Sequence, residues 1–192
     1  MALRLASASP RRRELLASAG VAFVVDPADV DETPPPGAAG ADVALALARR
    51  KALVVRERHP KDTVLAADTV VLAADGTLLG KPLDAADARR MLRLLSGSTQ
   101  RVVTGVALLS ERGEHAFAVT TEVTMRPLSA AEIDAYVATG EPFDKAGGYA
   151  IQETAEHFVT RIDGSRSNVV GLPLDEVLAA LAQWGFVAGE TS

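Results

Sequence analysis

Apolar residues in this chain follow two rhythms, short continuous runs and stretches that repeat near every 3.6 residues, and the two alternate along its length. Leu3 to Ala6 is an apolar run that reads as a short strand. Ser9 then supplies an N-cap, Pro10 suits the first helical position, and Glu14-Leu15-Leu16 carries a helix onward. Val21 to Val25 reads as a second strand, followed by an acidic, proline-rich loop from Asp29 to Gly37. A helix rich in alanine and leucine is predicted from Asp42 to Arg58. Val64 to Ala73 is nearly all apolar, as expected of a strand buried on both faces. Past a turn at Asp75-Gly76, Asp84 caps a helix that presents Ala88, Met91, Leu92 and Leu95 on one face and ends at Gly97. Arg101 to Leu109 and His115 to Met125 read as two strands turning at Arg112-Gly113. Ser129 and Glu132 form a capping box for a helix ending at Gly140. His157 to Ile162 is a further strand, and Leu174, Val177, Leu178 and Leu181 mark a last amphipathic helix with Gly185 at its end. Strands alternating with helices, plus one hairpin, predict an α/β fold with a mixed sheet. No repeat and no long linker divides the chain, so residues 1–192 are expected to form one domain, plain or bilobed.

Composition narrows the chemistry. A 48% apolar fraction is ample for a packed core, and the net charge of −5 without a long basic run argues against a nucleic-acid polymer as partner. Positive charge is local, which favours a small anionic ligand. The absence of cysteine excludes disulfides, thiol catalysis and thiolate metal sites. His59, His115 and His157 show no metal-ligand spacing, so a metal, if used, is a hard divalent cation held by oxygen, Mg²⁺ or Mn²⁺. No apolar run is long enough for a membrane span and no signal peptide is visible, which leaves a cytoplasmic location by default.

Four segments carry candidate chemistry. Ser7-Ala8-Ser9-Pro10-Arg11-Arg12-Arg13 puts three cations at the positive end of a helix dipole, which costs roughly 0.3–1 kcal/mol each unless an anion sits there. Such an anion, polyphosphate above all, would meet hydroxyls, free N–H groups and guanidinium forks; the alternative is a solvated basic face. Asp68 lies among Ala66, Ala67, Val70 and Val71 on the central strand, where an ionised carboxylate needs a partner or a metal. It could bind a divalent ion or accept a proton from water, or it could merely cap the next turn. Gly80-Lys81-Pro82 and the run from Glu141 to Gln152 add lysines, a glycine step, an aromatic ring and an amide. Gly164-Ser165-Arg166-Ser167-Asn168 reads as a turn with polar donors, and Asp31-Glu32 could add carboxylates near a metal. There is no Walker A or G-x-G-x-x-G pattern. The mixture suits metal-assisted phosphoanhydride chemistry on a nucleotide.

Taken in order, these pieces resemble the Maf family of nucleoside triphosphate pyrophosphatases over nearly the whole chain. The matching segments are Leu5-Ala6-Ser7-Ala8-Ser9-Pro10-Arg11-Arg12, Val30-Asp31-Glu32, Ala67-Asp68-Thr69, Gly80-Lys81-Pro82, Ser96-Gly97, Val103-Thr104-Gly105-Val106, Glu141-Pro142 with Asp144-Lys145-Ala146-Gly147, and Asn168-Val169-Val170-Gly171-Leu172-Pro173. The resemblance implies an elongated α/β fold like that of inosine triphosphate pyrophosphatases, two lobes around a cleft, and often a homodimer. It implies cleavage of a nucleoside triphosphate between the α and β phosphates. Asp68 matches the family's proton acceptor, and Glu32 with Asp68 falls where a metal is held. Ser7, Arg12, Lys81 and Lys145 would neutralise charge on the phosphates, with Ser9 and Lys51 as further phosphate-binding candidates.

Arg11, Thr69 and Gln152 resemble the branch acting on dTTP and UTP, where the sister branch, acting on 7-methylguanosine triphosphate, carries tryptophan, glutamine and glutamate. A glutamine amide offers a donor and an acceptor to the acceptor–donor–acceptor edge of uracil or thymine. Two departures bear on base choice: Ala150 and Glu153 stand where many relatives have glycine, and Gln100-Arg101 where they often have histidine. Two other functions remain open at this stage, a house-cleaning pyrophosphatase of broad base range and a non-catalytic nucleotide-binding regulator of septum formation.

Overall fold

A computed structural model describes residues 1–152 and 154–186. The elements, in chain order, are β1 Leu3–Leu5, α1 Pro10–Ser18, β2 Val24–Val25, α2 Ala41–Arg58, β3 Thr63–Leu72, β4 Leu78–Leu79, α3 Ala85–Leu95, β5 Thr99–Ser110, β6 Gly113–Met125, α4 Ala130–Ala138, β7 Val159–Asp163, α5 Arg166–Val170 and α6 Leu174–Gln183. The strands form one mixed sheet in the order β2-β1-β3-β5-β6-β7, with β4 paired to β3. β1 runs parallel to β2 and β3, with Leu3 opposite Thr63 and Leu5 opposite Leu65. β4 pairs antiparallel with β3, and β7 pairs antiparallel with β6, with a register shift at Thr124/Met125 of β6. Among the described residues, no helix is long and apolar enough to cross a membrane.

The chain separates into two compact units. The first comprises residues 1–68, 104–119 and the segment from Gly171 onward. Its sheet residues sort by the two-residue period of a strand. Leu3, Leu5, Leu65, Ala67, Val106 and Leu108 pack with Leu16 of α1 and with Val177 and Leu181 of α6. The opposite row, Ala6, Val64, Ala66, Ala107 and Leu109, packs against Ala48, Ala52 and Val55 of α2. Helix α1 starts as its sequence demands, with Ser9 Oγ accepting from Arg12 N and Pro10 at the first position.

The second unit comprises residues 69–103 and 120–170. Its core joins Val71, Leu79, Val102, Val123 and Met125 of the strands to Met91, Leu92 and Leu95 of α3 and to Ile133, Tyr136 and Val137 of α4. The Asp84 cap and the Ser129/Glu132 capping box both form as read.

Some boundaries differ from the sequence reading. Only Val24–Val25 of the expected Val21–Val25 strand pairs, because Val21 is spent on the core instead. His157 belongs to a 3₁₀ turn, Thr154–Phe158, so the last strand begins at Val159. The segment read as a turn at Gly164–Asn168 starts helix α5, where Ser165 Oγ accepts from Asn168 N at 3.2 Å. Strand β4 was not anticipated; two residues show no periodicity.

Candidate active site

Strand periodicity determines where Asp68 points. Val64 and Ala66 form the row of β3 that packs against α2, and Asp68 is the next member of that row. On α2 the buried face runs through Ala44, Ala48, Lys51, Ala52 and Val55. The two rows bring Lys51 Nζ to 2.6 Å from Asp68 Oδ1, both residues being under a tenth exposed. Lys51 Nζ also lies 2.7 Å from Glu32 Oε1. A single buried ammonium thus serves two carboxylates, which is what makes an acid on a central strand tolerable. Glu32 is delivered by its loop. Arg50 donates to the carbonyls of Asp31 and Thr33, and the Thr33 amide and hydroxyl both donate to Asp31 Oδ1, at 2.9 and 2.6 Å. Those hydrogen bonds from Thr33 hold the Asp31 carboxyl below its ordinary value.

The start of α1 adds a second group of donors to the same unit. Arg12 Nε donates to Gly171 O at 2.7 Å and Arg12 Nη1 to the buried Ser7 Oγ at 3.4 Å, while Ser7 Oγ also accepts from Ser9 N. Burial pushes the Arg12 guanidinium below its ordinary value; Asp68 opposes this, Arg11 reinforces it, and Glu32 opposes it. Arg12 is therefore held by a carbonyl and a hydroxyl at the helix start, within electrostatic reach of both carboxylates. Gly171 O was not a candidate in the sequence, because a backbone acceptor leaves no residue-type signal.

In the second unit, the run from Glu141 to Gln152 forms two short 3₁₀ turns around Lys145. Lys145 is 6% exposed; its Nζ donates to Glu141 O at 2.6 Å and to Asp144 Oδ1 at 2.8 Å. Gly147 has a φ of +72°, and a Cβ there would lie 3.1 Å from Val71 Cγ2. Its N–H donates to Gly80 O at 2.9 Å, which joins the Gly80-Lys81-Pro82 loop to the Lys145 segment. Lys81 itself is exposed. Behind the segment, Tyr149 is buried, and its hydroxyl donates to Gln100 Oε1 at 3.2 Å while Gln100 Nε2 donates to Val123 O and Ser98 O. Burial pushes the Tyr149 hydroxyl up to about 12, so it remains a donor across the working pH range. Gln152 is exposed, and the carbonyl of the preceding Ile151 accepts from Arg166 Nη2 at 3.1 Å.

The candidates therefore fall into two sets. Ser7, Ser9, Arg11, Arg12, Glu32, Lys51 and Asp68 lie in the first unit; Thr69, Lys81, Lys145 and Gln152 lie in the second. Glu153 lies outside the described residues. The Glu32–Asp68 pair fits a hard divalent cation in donor chemistry, since two carboxylate oxygens already converge on one positive charge. Among the described residues, no three His, Cys, Asp or Glu side chains gather into a metal-ligand group.

A family model described as Maf-like protein matches residues 2–184. A dTTP/UTP pyrophosphatase of Geobacter sulfurreducens is 54% identical over 183 residues, covering 94% of this chain and 95% of that protein. A dTTP/UTP pyrophosphatase of Myxococcus xanthus is also 54% identical over 183 residues, covering 95% of this chain and 92% of its own. Among solved structures, a HAM1 protein from Coxiella burnetii shares the fold, with a TM-score of 0.52 at 17% identity, covering 94% of this chain and 98% of that one.

Proposed function

The chain belongs to the Maf family, and from that premise we propose that it hydrolyses the α–β phosphoanhydride of nucleoside triphosphates, dTTP and UTP before others, to monophosphate and pyrophosphate. The observation that carries the reading is the buried Lys51 ammonium shared between Asp68 and Glu32. It gathers two carboxylates and a cation around one point, with Glu32 half-exposed. Asp68 accepts the proton of the attacking water. A new P–O bond forms, the anhydride P–O bond breaks, and its electron pair leaves on the departing phosphate group. Arg12 and Ser7, at the start of α1, donate to phosphate oxygens, as do Lys81 and Lys145; each such donor is worth roughly 10²-fold or more when charge builds in the transition state. Glu32 and Asp68 would hold Mg²⁺ or Mn²⁺, which when bound supplies Lewis-acid polarisation of the phosphoryl oxygens. Gln152 reads the pyrimidine edge, with Arg11 and Thr69 completing the branch signature. On the family resemblance alone, the proposal extends to a homodimer acting in the cytoplasm.

The test is a base panel. Purified protein is given dTTP, UTP, CTP, ATP, GTP and 7-methyl-GTP with Mg²⁺, with Mn²⁺, and with chelator. The reading expects kcat/KM to be highest for dTTP and UTP and to vanish with chelator. Equal turnover on most bases contradicts the base assignment and favours the house-cleaning range.

A further inference from the structure

The backbone of α2, the helix that carries Lys51, packs directly against β5 at Gly105. Much of this interface is made by small side chains, Ala44, Ala48 and Ala52 on α2 and Ala66 and Ala107 on the strands, with Ala6 just past β1, all fully or almost fully buried, beside the larger Val55, Val64 and Leu109. The closest approach is at Gly105 of β5, which precedes Ala107 and Leu109 in the row facing α2. A Cβ at Gly105 would stand 2.4 Å from the carbonyl carbon of Ala44, 2.5 Å from its oxygen and 2.5 Å from Leu45 N. All three are helix backbone atoms, so no rotamer change can relieve the contact. Lys51 lies two turns further along the same face of the same helix.

We propose that Gly105 is a positioning residue for the reaction: by admitting the α2 backbone into contact with β5, it fixes the height at which Lys51 bridges Asp68 and Glu32. The inference rests on the hydrolase reading for its effect on turnover, but not for its effect on geometry. Restoring an ordinary contact at Gly105 requires the helix and strand to part by about 1 Å. A shift of that size in catalytic groups lowers rates by as much as about 10²-fold, and it takes the 2.6 Å contact of Lys51 with Asp68 on the sheet out of hydrogen-bond range, while Glu32, on the loop that Arg50 ties to α2, stays with the helix.

The experiment compares Gly105→Ala with Val106→Ala, a core truncation in the adjacent, opposite-facing row that destabilises without lifting α2. Two readouts are taken on each folded variant. One is the ¹⁵N-detected side-chain NH₃⁺ resonance of Lys51, assigned by its loss in Lys51→Arg; the other is kcat and KM on dTTP. Gly105→Ala is expected to lose or displace the resonance and to lower kcat at least tenfold with KM within about threefold, while Val106→Ala keeps both. Should Gly105→Ala fail to fold, Ala48→Val, which wedges the same interface one turn on, must give the same signature. A wild-type-like resonance, or wild-type kcat beside a displaced one, overturns the proposal. Wild-type protein inert on dTTP sinks the hydrolase reading instead, and the resonance still decides whether Gly105 sets the geometry.

Discussion

Replacing Lys51 by methionine keeps most of the side-chain volume and removes the charge, which isolates the value of the shared ammonium. Lys51 and Asp68 have side chains only 9% and 11% exposed, so the substitution leaves a buried carboxylate without its cation. That loss costs about 3–5 kcal/mol. The Glu32 side chain is 45% exposed, so its share of the bridge is screened and adds at most about 1 kcal/mol. Asp68→Asn is milder, about 1–2 kcal/mol, because the amide oxygen still accepts from Lys51 and Lys51 keeps Glu32. In the double variant no charge is stranded, so its cost falls below the sum of the singles by about 2–3 kcal/mol. Urea unfolding of the four proteins, followed by circular dichroism, yields the cycle. A Lys51→Met cost under about 1 kcal/mol, or an additive double variant, would refute the reasoning that this ammonium neutralises a buried acid.

Three further outcomes follow from other parts of the molecule. The Arg126 guanidinium, the Ser129 N–H and the Ser129 hydroxyl hold Glu132 down to about 2 from an ordinary 4.5, so its stabilising effect is complete above 4.5 and is lost as pH falls through 2. The Tm gap between wild type and Glu132→Gln should therefore be full at pH 7 and close across that acidic window; a gap independent of pH contradicts it. Gly147→Ala forces a side chain into a φ of +72° against Val71 and should cost about 1–2 kcal/mol in chemical denaturation, with no loss counting against the strain. Gln152→Glu should lower kcat/KM on dTTP and UTP while sparing other bases, whereas an equal fall on all of them removes Gln152 as the base reader.

Much of this was legible in the chain because it rests on local rules. Ser9-Pro10, Asp84 and the Ser129/Glu132 pair announce helix starts through the hydrogen bonds they make to their own backbones, and each does so here. An acid in the run Ala66-Ala67-Asp68-Thr69-Val70 announces a buried charge in need of a partner. The partner itself was harder to see. Lys51 lies seventeen residues away on α2, and only the row shared by Val64, Ala66 and Asp68, set against the helix face of Ala48 and Ala52, brings them together. The three arginines of α1 suggested an anion site, but part of that charge is already met by Gly171 O. Short elements left no periodic trace, as β4 and α5 illustrate, and the close approach at Gly105 appears only when two distant segments are packed.

The central claim is that Asp68 activates water to cleave the α–β anhydride. The most direct measurement is release of pyrophosphate and orthophosphate from dTTP with Mg²⁺, by wild type and by Asp68→Asn shown to be folded. The account predicts one pyrophosphate per dTMP from wild type, and a rate lower by about 10²-fold or more in the variant. Orthophosphate as the first product, or a variant of near-wild-type rate, would contradict it.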